Sequence, residues 1–393
     1  MKRLTRRDFL RAGGAGTLAA GTLRPVRSMA SASGSVREDL VARNVQFLSD
    51  GQMIDPLEYA RLLVTAEEAR PTTSDVYMTG GRVQELEARF ASELGKEAAV
   101  FLPTGTLANH LAIRRLAGDK TKVLVQAESH IYADSMDCVQ TLSRLNLVPL
   151  AAGRATITRD EVDEACRHAV DGPYPAPVGA MSIECPVRRK SGEVFDFEEL
   201  KRISQYAKEH DLRLHLDGAR LYIASAYTGI PPVQYAALVE TIYISLYKYL
   251  GAASGAMLAG PKRVIDQVAH DRKVFGATMY QAWPFAAVAL QNLEGFGERF
   301  SRAVAVARDL FARLQAHGGF QIEPFPRGTN IHRFTVDGVD GDRYRTALEQ
   351  RGIRIRRPGK DKEASTFLVL VNESLNRRSA PDLAKAFIDA LSA

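Results

Sequence analysis

Between residues 98 and 250 the chain alternates short apolar runs with amphipathic stretches of helical period, and nothing else in it constrains the fold as tightly. "AAVFL" precedes a predicted helix over 105–117, "KVLVQ" one near 131–143, and "NLVPLA" the stretch "ITRDEVDEACRHA". "GAMSIEC" then precedes "DFEELKRISQYAKEHD", and "RLHLD" and "TIYISL" follow. The apolar runs lack the inside–outside alternation of a half-solvated sheet. Strands of that kind are buried on both faces and joined by helices, so the pattern predicts an α/β fold with a mostly parallel sheet. Open sheets of this class bind ligands beyond the carboxyl ends of their strands, and residues just past each run therefore carry the functional reading.

After residue 284 the pattern changes. A long helical stretch over Phe296–Gly319 leads to "NIHRFTV", the basic residues at 351–357 and "TFLVLVN". These predict a small C-terminal α+β domain ending in a helix at 380–392. The expected organisation is a leader over 1–32, a large domain over 33–300 and a small domain over 301–393.

The leader is read from Arg6 and Arg7 before Phe9-Leu10, a Gly/Ala-rich apolar stretch, and Ala30-Ser31-Ala32 as an A-x-A cleavage site. This pattern resembles a twin-arginine export signal. The other reading, a basic amphipathic helix, is opposed by Gly13, Gly14 and Gly16. The signal predicts passage through the twin-arginine export machinery to a periplasmic or secreted location. Lys2, Arg3, Arg6, Arg7, Arg11, Arg24 and Arg27 against Asp8 give residues 1–32 a net charge of +6, which is also the net charge of the whole chain. The remainder is near neutral, so the basic pI of the whole chain is no argument for nucleic-acid binding. No apolar stretch approaches the roughly 20 residues needed to span a bilayer. Cys138, Cys166 and Cys185 are widely spaced, without a CxxC pair, and predict neither a disulfide framework nor a metal site.

In "TIYISLYKYLGAASGAMLAG" Lys248 stands in an apolar run followed by small residues. Two readings are open: the lysine ends a strand and reaches solvent, or it is buried to supply a neutral amine for Schiff-base chemistry. Two other strand ends bear on the choice. "FLPTGTLANHLAI" places Gly105 and Thr106 at a helix start, where backbone N–H groups suit a phosphate, although Gly and Thr also serve as ordinary caps there. "RLHLDGAR" ends a strand with Asp217, which suits a protonated ring nitrogen or pairing with Arg220. An anion cradle, an aspartate strand and a lysine after the next strand together form the layout of aspartate-aminotransferase-like pyridoxal-phosphate enzymes.

The series "VQELEARFASELGKEAAVFLPTGTLANHLAI", "ESHIYADS", "LHLDGARLYIA", "SLYKYLGA", "DRKVFGATMYQAW" and "GTNI" resembles, in order, motifs of the threonine aldolase and aromatic amino acid β-eliminating lyase family, over roughly residues 44 to 335. The resemblance implies pyridoxal 5'-phosphate bonded to Lys248, with Asp217 at its ring nitrogen and Gly105 and Thr106 at its phosphate. It further implies His130 stacked on the ring as an acid/base, Arg220 near cofactor and substrate carboxylate, Ser49 at that carboxylate, and Lys273 near the phosphate. The implied reaction is cleavage of a β-hydroxy-α-amino acid such as threonine to glycine and an aldehyde, by a homodimer or homotetramer. The alternatives are β-elimination or transamination of another amino acid, or cofactor binding without turnover. Departures from the family pattern are "MTGGR" after "DVY", Ser135 for a glutamate, Tyr280 for the arginine of "GMRQ", and Val369 for an arginine expected to clamp the substrate carboxylate. Arg354, Arg356 and Arg357 are the candidates to replace that clamp.

Overall fold

A computed structural model describes residues 44–356 and 365–392. The leader over 1–32 and Arg357 lie outside the described residues. In chain order the strands are β1 (Val45–Gln46), β2 (Ala98–Leu102), β3 (Lys122–Gln126), β4 (Asn146–Leu150), β5 (Val178–Glu184), β6 (Arg213–Asp217), β7 (Thr241–Ser245), β8 (Ala256–Gly260), β9 (Phe320–Pro324), β10 (Ile331–Val336), β11 (Ile353–Arg354) and β12 (Thr366–Leu370). Seven of them form one sheet in the order β2-β8-β7-β6-β5-β3-β4. Strands β4, β3, β5, β6 and β7 pair in parallel, and β8 runs antiparallel between β7 and β2. Every residue of β5, β7 and β8 is buried. Both faces of these strands are covered, which is why their sequences show no period of two.

Helices cover the sheet and start where the chain supplies caps. Helix Gly105–Ala117 is capped by Thr104, whose hydroxyl accepts from Leu107 N. Helix Arg159–Val170 opens on a reciprocal capping box between Thr158 and Glu161. Helix Phe197–Glu209 buries Leu200, Ile203, Tyr206 and Ala207, three or four residues apart, on its inward face. The helix predicted near 131–143 is instead two short ones, His130–Ala133 and Cys138–Ser143. Met136 and Asp137 between them adopt φ of 53° and 52°, a left-handed backbone that no right-handed helix can carry through.

The C-terminal region forms a three-stranded antiparallel sheet, β12-β10-β9. Phe367 and Val369 share its buried face with Phe334, which packs against Phe387 of helix Ala380–Asp389. The N-terminal segment belongs to this region too: β1 pairs in parallel with β11, and Leu370 N donates to Phe47 O at 3.1 Å. Helix Phe296–His317 runs through residue 300, where the sequence suggested a domain boundary. The architecture is the expected α/β class: a large, mostly parallel sheet and a small antiparallel one. No helix among the described residues is long and apolar enough to cross a membrane.

Candidate active site

Five strands pointing the same way deliver their following residues to one place. Gly105 and Thr106 follow β2, His130 follows β3, Glu184 ends β5 with Arg188 just beyond, Asp217 ends β6 with Ala219 and Arg220 beyond, and Lys248 follows β7. Together with Tyr243 and Tyr247 they line a cavity of about 260 Å³. Residues up to 143 positions apart in sequence meet because parallel strands place their carboxyl ends on one edge.

Glycine is required at two points of this edge. A Cβ on Gly105 would lie 2.0 Å from Tyr243 Oη, so the helix can approach β7 only with no side chain there. A Cβ on Gly51 would meet Lys248 O, and this lets the N-terminal segment pass close over the lysine's own backbone. Thr106 presents its hydroxyl to His130 Nε2 at 3.3 Å. The N–H groups of Gly105 and Thr106, at the very start of the helix, have no intrahelical acceptor and remain available to an anion.

The charges of the cavity perturb one another. Burial pulls the Lys248 ammonium down to about 8, and Arg220 pushes the same way, while Asp217, Asp50 and Glu184 oppose the shift. Burial likewise lowers the pKa of His130 from its ordinary range, against the pull of Asp217, so the ring is neutral at pH 7. Glu184 is raised to about 7 by burial and then by Asp217. Its two oxygens accept His130 N at 2.6 Å and Arg188 N at 2.9 Å, tying the loop after β3 to the loop after β5. Arg220 Nε donates to Asp50 Oδ2 at 2.7 Å. Burial alone would lower the Arg220 pKa, but Asp50 together with Glu184 and Asp217 offsets it and the net shift is upward. Asp50 Oδ1 also accepts from Asn330 Nδ2 at 3.4 Å, which joins the site to the residues preceding β10.

The structure thus brings together Gly105, Thr106, His130, Asp217, Arg220 and Lys248, and it places the lysine half-buried in the cavity lining rather than on the open surface. Ser49 does not line the cavity: its hydroxyl donates to Gly51 O at 2.8 Å and accepts from Gln46 Nε2 at 3.0 Å. Lys273 is exposed at the end of helix Lys262–Val274, away from the cavity lining. Val369 is 1% exposed in the apolar core and does not line the cavity. Arg354 and Arg356 lie on the surface, outside the cavity lining. Sequence reasoning missed Asp50, Glu184 and Arg188. Inspecting the end of "GAMSIEC" as the ends of "RLHLD" and "TIYISL" were inspected would have found Glu184.

The profile for "Beta-eliminating lyase" matches residues 64–338, more than half of the chain. The chain belongs to the beta-eliminating lyase family. Among its relatives is the low-specificity L-threonine aldolase of Eremothecium gossypii, 31% identical over 262 residues, 65% of this chain and 66% of that protein. Another is the alanine racemase TOXG of Cochliobolus carbonum, 32% identical over 227 residues, 57% of each. This family member therefore spans less than two thirds of the length of either relative. In three dimensions it resembles a protein of Exiguobacterium sp. 255-15 provisionally named an aromatic amino acid beta-eliminating lyase/threonine aldolase. The TM-score is 0.74 and the identity 26%, over 91% of this chain and 99% of that one.

Proposed function

We propose that this protein is a pyridoxal-phosphate-dependent lyase that cleaves a β-hydroxy-α-amino acid such as threonine to glycine and an aldehyde. The observation that carries the reading is the cavity itself, in which a half-buried lysine with its pKa drawn to about 8 faces a strand-end aspartate and a helix start with no side chain at Gly105. The donor set fits the group. The N-terminal turn at Gly105 and Thr106 would hold its phosphate, Asp217 would face its ring nitrogen, and Lys248 Nζ would bond its aldehyde carbon. When bound, the cofactor supplies an electron sink for the pair left at the substrate α-carbon.

The chain's own residues supply the rest. Arg220 and Arg188 are the cationic guanidinium groups that line the cavity, and they would orient the α-carboxylate in place of a C-terminal clamp. His130, neutral at pH 7, would accept the β-hydroxyl proton as the Cα–Cβ bond breaks and the aldehyde leaves. Glu184 would hold His130 and Arg188 in register through their backbone N–H groups. The racemase among the relatives motivates a second reading, a different reaction at the same α-carbon.

The test is a visible spectrum of the purified protein, followed by threonine, allo-threonine, serine and alanine as substrates. Glycine and acetaldehyde from threonine are expected, and K248A should lose both turnover and the borohydride-reducible absorbance. A K248A protein that retained that absorbance would sink the assignment, and alanine racemisation without glycine release would favour the second reading. Export by the twin-arginine route to the periplasm or beyond, and assembly as a homodimer or homotetramer, complete the proposal. Fractionation of an R6K/R7K variant tests the first, and light scattering the second.

A further inference from the structure

From Asp217 a line of hydrogen bonds runs into the core. Asp217 Oδ2 accepts from Asn109 Nδ2 at 2.5 Å. Asn109 Oδ1 pairs with His215 Nε2 at 2.9 Å, and His215 Nδ1 pairs with Thr241 Oγ1 at 2.9 Å. Asn109, His215 and Thr241 are each 0% exposed. They arrive from three elements: Asn109 one turn into helix Gly105–Ala117, His215 two residues before Asp217 on β6, and Thr241 at the first position of β7. Only Asp217 of the four lines the cavity.

The direction of every bond in this line follows from its first member. A carboxylate only accepts, so Asn109 must present its NH2 to Asp217 and hence its carbonyl to His215. That carbonyl also only accepts, so the His215 proton resides on Nε2. Nδ1 is left as an acceptor and takes the Thr241 hydroxyl proton. The amide orientation and the histidine tautomer, ordinarily matters of assignment, are both set by the one charge at the end of the line. Burial pushes the His215 imidazole down to about 4 against the opposing pull of Asp217, so no positive charge enters from this side at neutral pH.

A second donor completes the setting: Asp217 Oδ1 accepts from Ala219 N at 3.0 Å. Each carboxylate oxygen is therefore held by a neutral group and keeps a lone-pair direction free. The arrangement differs from Asp50, whose charge is met by the Arg220 guanidinium 2.7 Å away. We propose that Asn109, His215 and Thr241 are a neutral positioning chain that aims the Asp217 carboxylate at the cofactor's ring nitrogen while leaving its charge uncancelled; this rests on the cofactor reading above. A cation in the place of Asn109 would hold Asp217 as firmly but would compete with the ring nitrogen for it.

The experiment has two arms. The first is nitrogen-15 NMR of the histidine side chains in wild-type protein, with and without pyridoxal phosphate, using H215Q to assign the signal. The expected result is an Nε2–H imidazole that does not titrate between pH 5.5 and 8.5. An Nδ1–H tautomer, or titration near the ordinary histidine value, overturns the proposal. The second arm measures the pyridoxal-phosphate dissociation constant and the cofactor-free melting temperature of N109L, N109D and wild type. N109L should weaken the cofactor about tenfold or more, the scale of one hydrogen bond to a charged group. N109D, which sets a second carboxylate against Asp217, should weaken it further. Cofactor affinity within twofold of wild type in a folded N109L protein overturns the proposal. Failure of the wild type to bind pyridoxal phosphate overturns the cofactor reading itself, and the NMR arm without cofactor tells the two failures apart.

Discussion

At the carboxyl edge of the seven-stranded sheet, Asp50, Glu184, Asp217, Arg220 and Lys248 gather in and around one cavity. On the inner face of the three-stranded sheet, Phe334, Phe367 and Val369 are as deeply buried and lie among apolar side chains. His332, paired across that sheet with Val369, is pushed by burial down to about 4 and is neutral at ordinary pH. Both regions are largely withdrawn from solvent, yet one tolerates five ionisable groups and the other none in charged form. The difference lies in what the surrounding chain delivers. Loops leaving parallel strands bring opposite charges and free backbone N–H groups to a common point, whereas the antiparallel face has spent its backbone groups on the sheet and offers hydrocarbon and one neutral imidazole.

The sharpest way to break this comparison is to force a charge into the second region. Val369→Arg should cost more than about 4 kcal/mol or prevent folding, because the apolar core would strip the guanidinium of water without offering a carboxylate. It should bring no gain in threonine cleavage. A denaturation midpoint equal to that of wild type would mean the inner face accommodates charge after all.

Removing one partner in the first region should be nearly as damaging. Asp50→Asn leaves Arg220, with 12% of its side chain exposed, without its carboxylate. Loss of a buried partner costs about 3–5 kcal/mol, to be read from the melting temperature of the cofactor-free protein. A loss under about 1 kcal/mol would show that cavity water screens this pair as it would on the surface.

The pH dependence sharpens the same point kinetically. In the proposed role only the neutral Lys248 amine would bond the cofactor aldehyde, so the competent fraction should fall as pH drops below about 8. Reconstitution of cofactor-free protein should slow about fiftyfold between pH 8 and pH 6 and level off above pH 9, whereas an ordinary lysine would still be gaining rate there. Stopped-flow absorbance measures this, and a rate still climbing at pH 10 would place Lys248 in an unperturbed setting.

The smallest effect is expected at Lys273, which lies on the surface. Lys273→Ala should change stability by no more than about 0.5 kcal/mol and leave cofactor affinity alone. Reduced affinity at unchanged stability would indicate that a second copy of the chain carries this lysine to the phosphate.

Lys248, Asp217, Gly105 and Thr106 were legible in the sequence because each lies at or just beyond a strand end, and the strands announce themselves through burial of both faces, a property of a few consecutive residues. His130 and Arg220 came with the family resemblance. Glu184 was hidden because a carboxyl group closing "MSIE" reads as a solvated strand end until His130 N and Arg188 N are found on its two oxygens. Asp50 was hidden because its partner, Arg220, is 170 residues away, and Asn109 because it meets Asp217 across 108. Val369, named as the counterpart of a clamping arginine, lies on the strand, but the sequence did not say which face it takes. A shift of one residue reverses a strand's orientation, and only the pairing of β12 with β10 sets that parity. The sequence alone determined the layered α/β fold and the strand-end residues, since apolar periodicity acts within a single element. Which buried charges are cancelled, which are left free and which never enter was decided by the tertiary structure, because the desolvation cost of a charge depends on the partners the whole fold brings within about 3 Å of it.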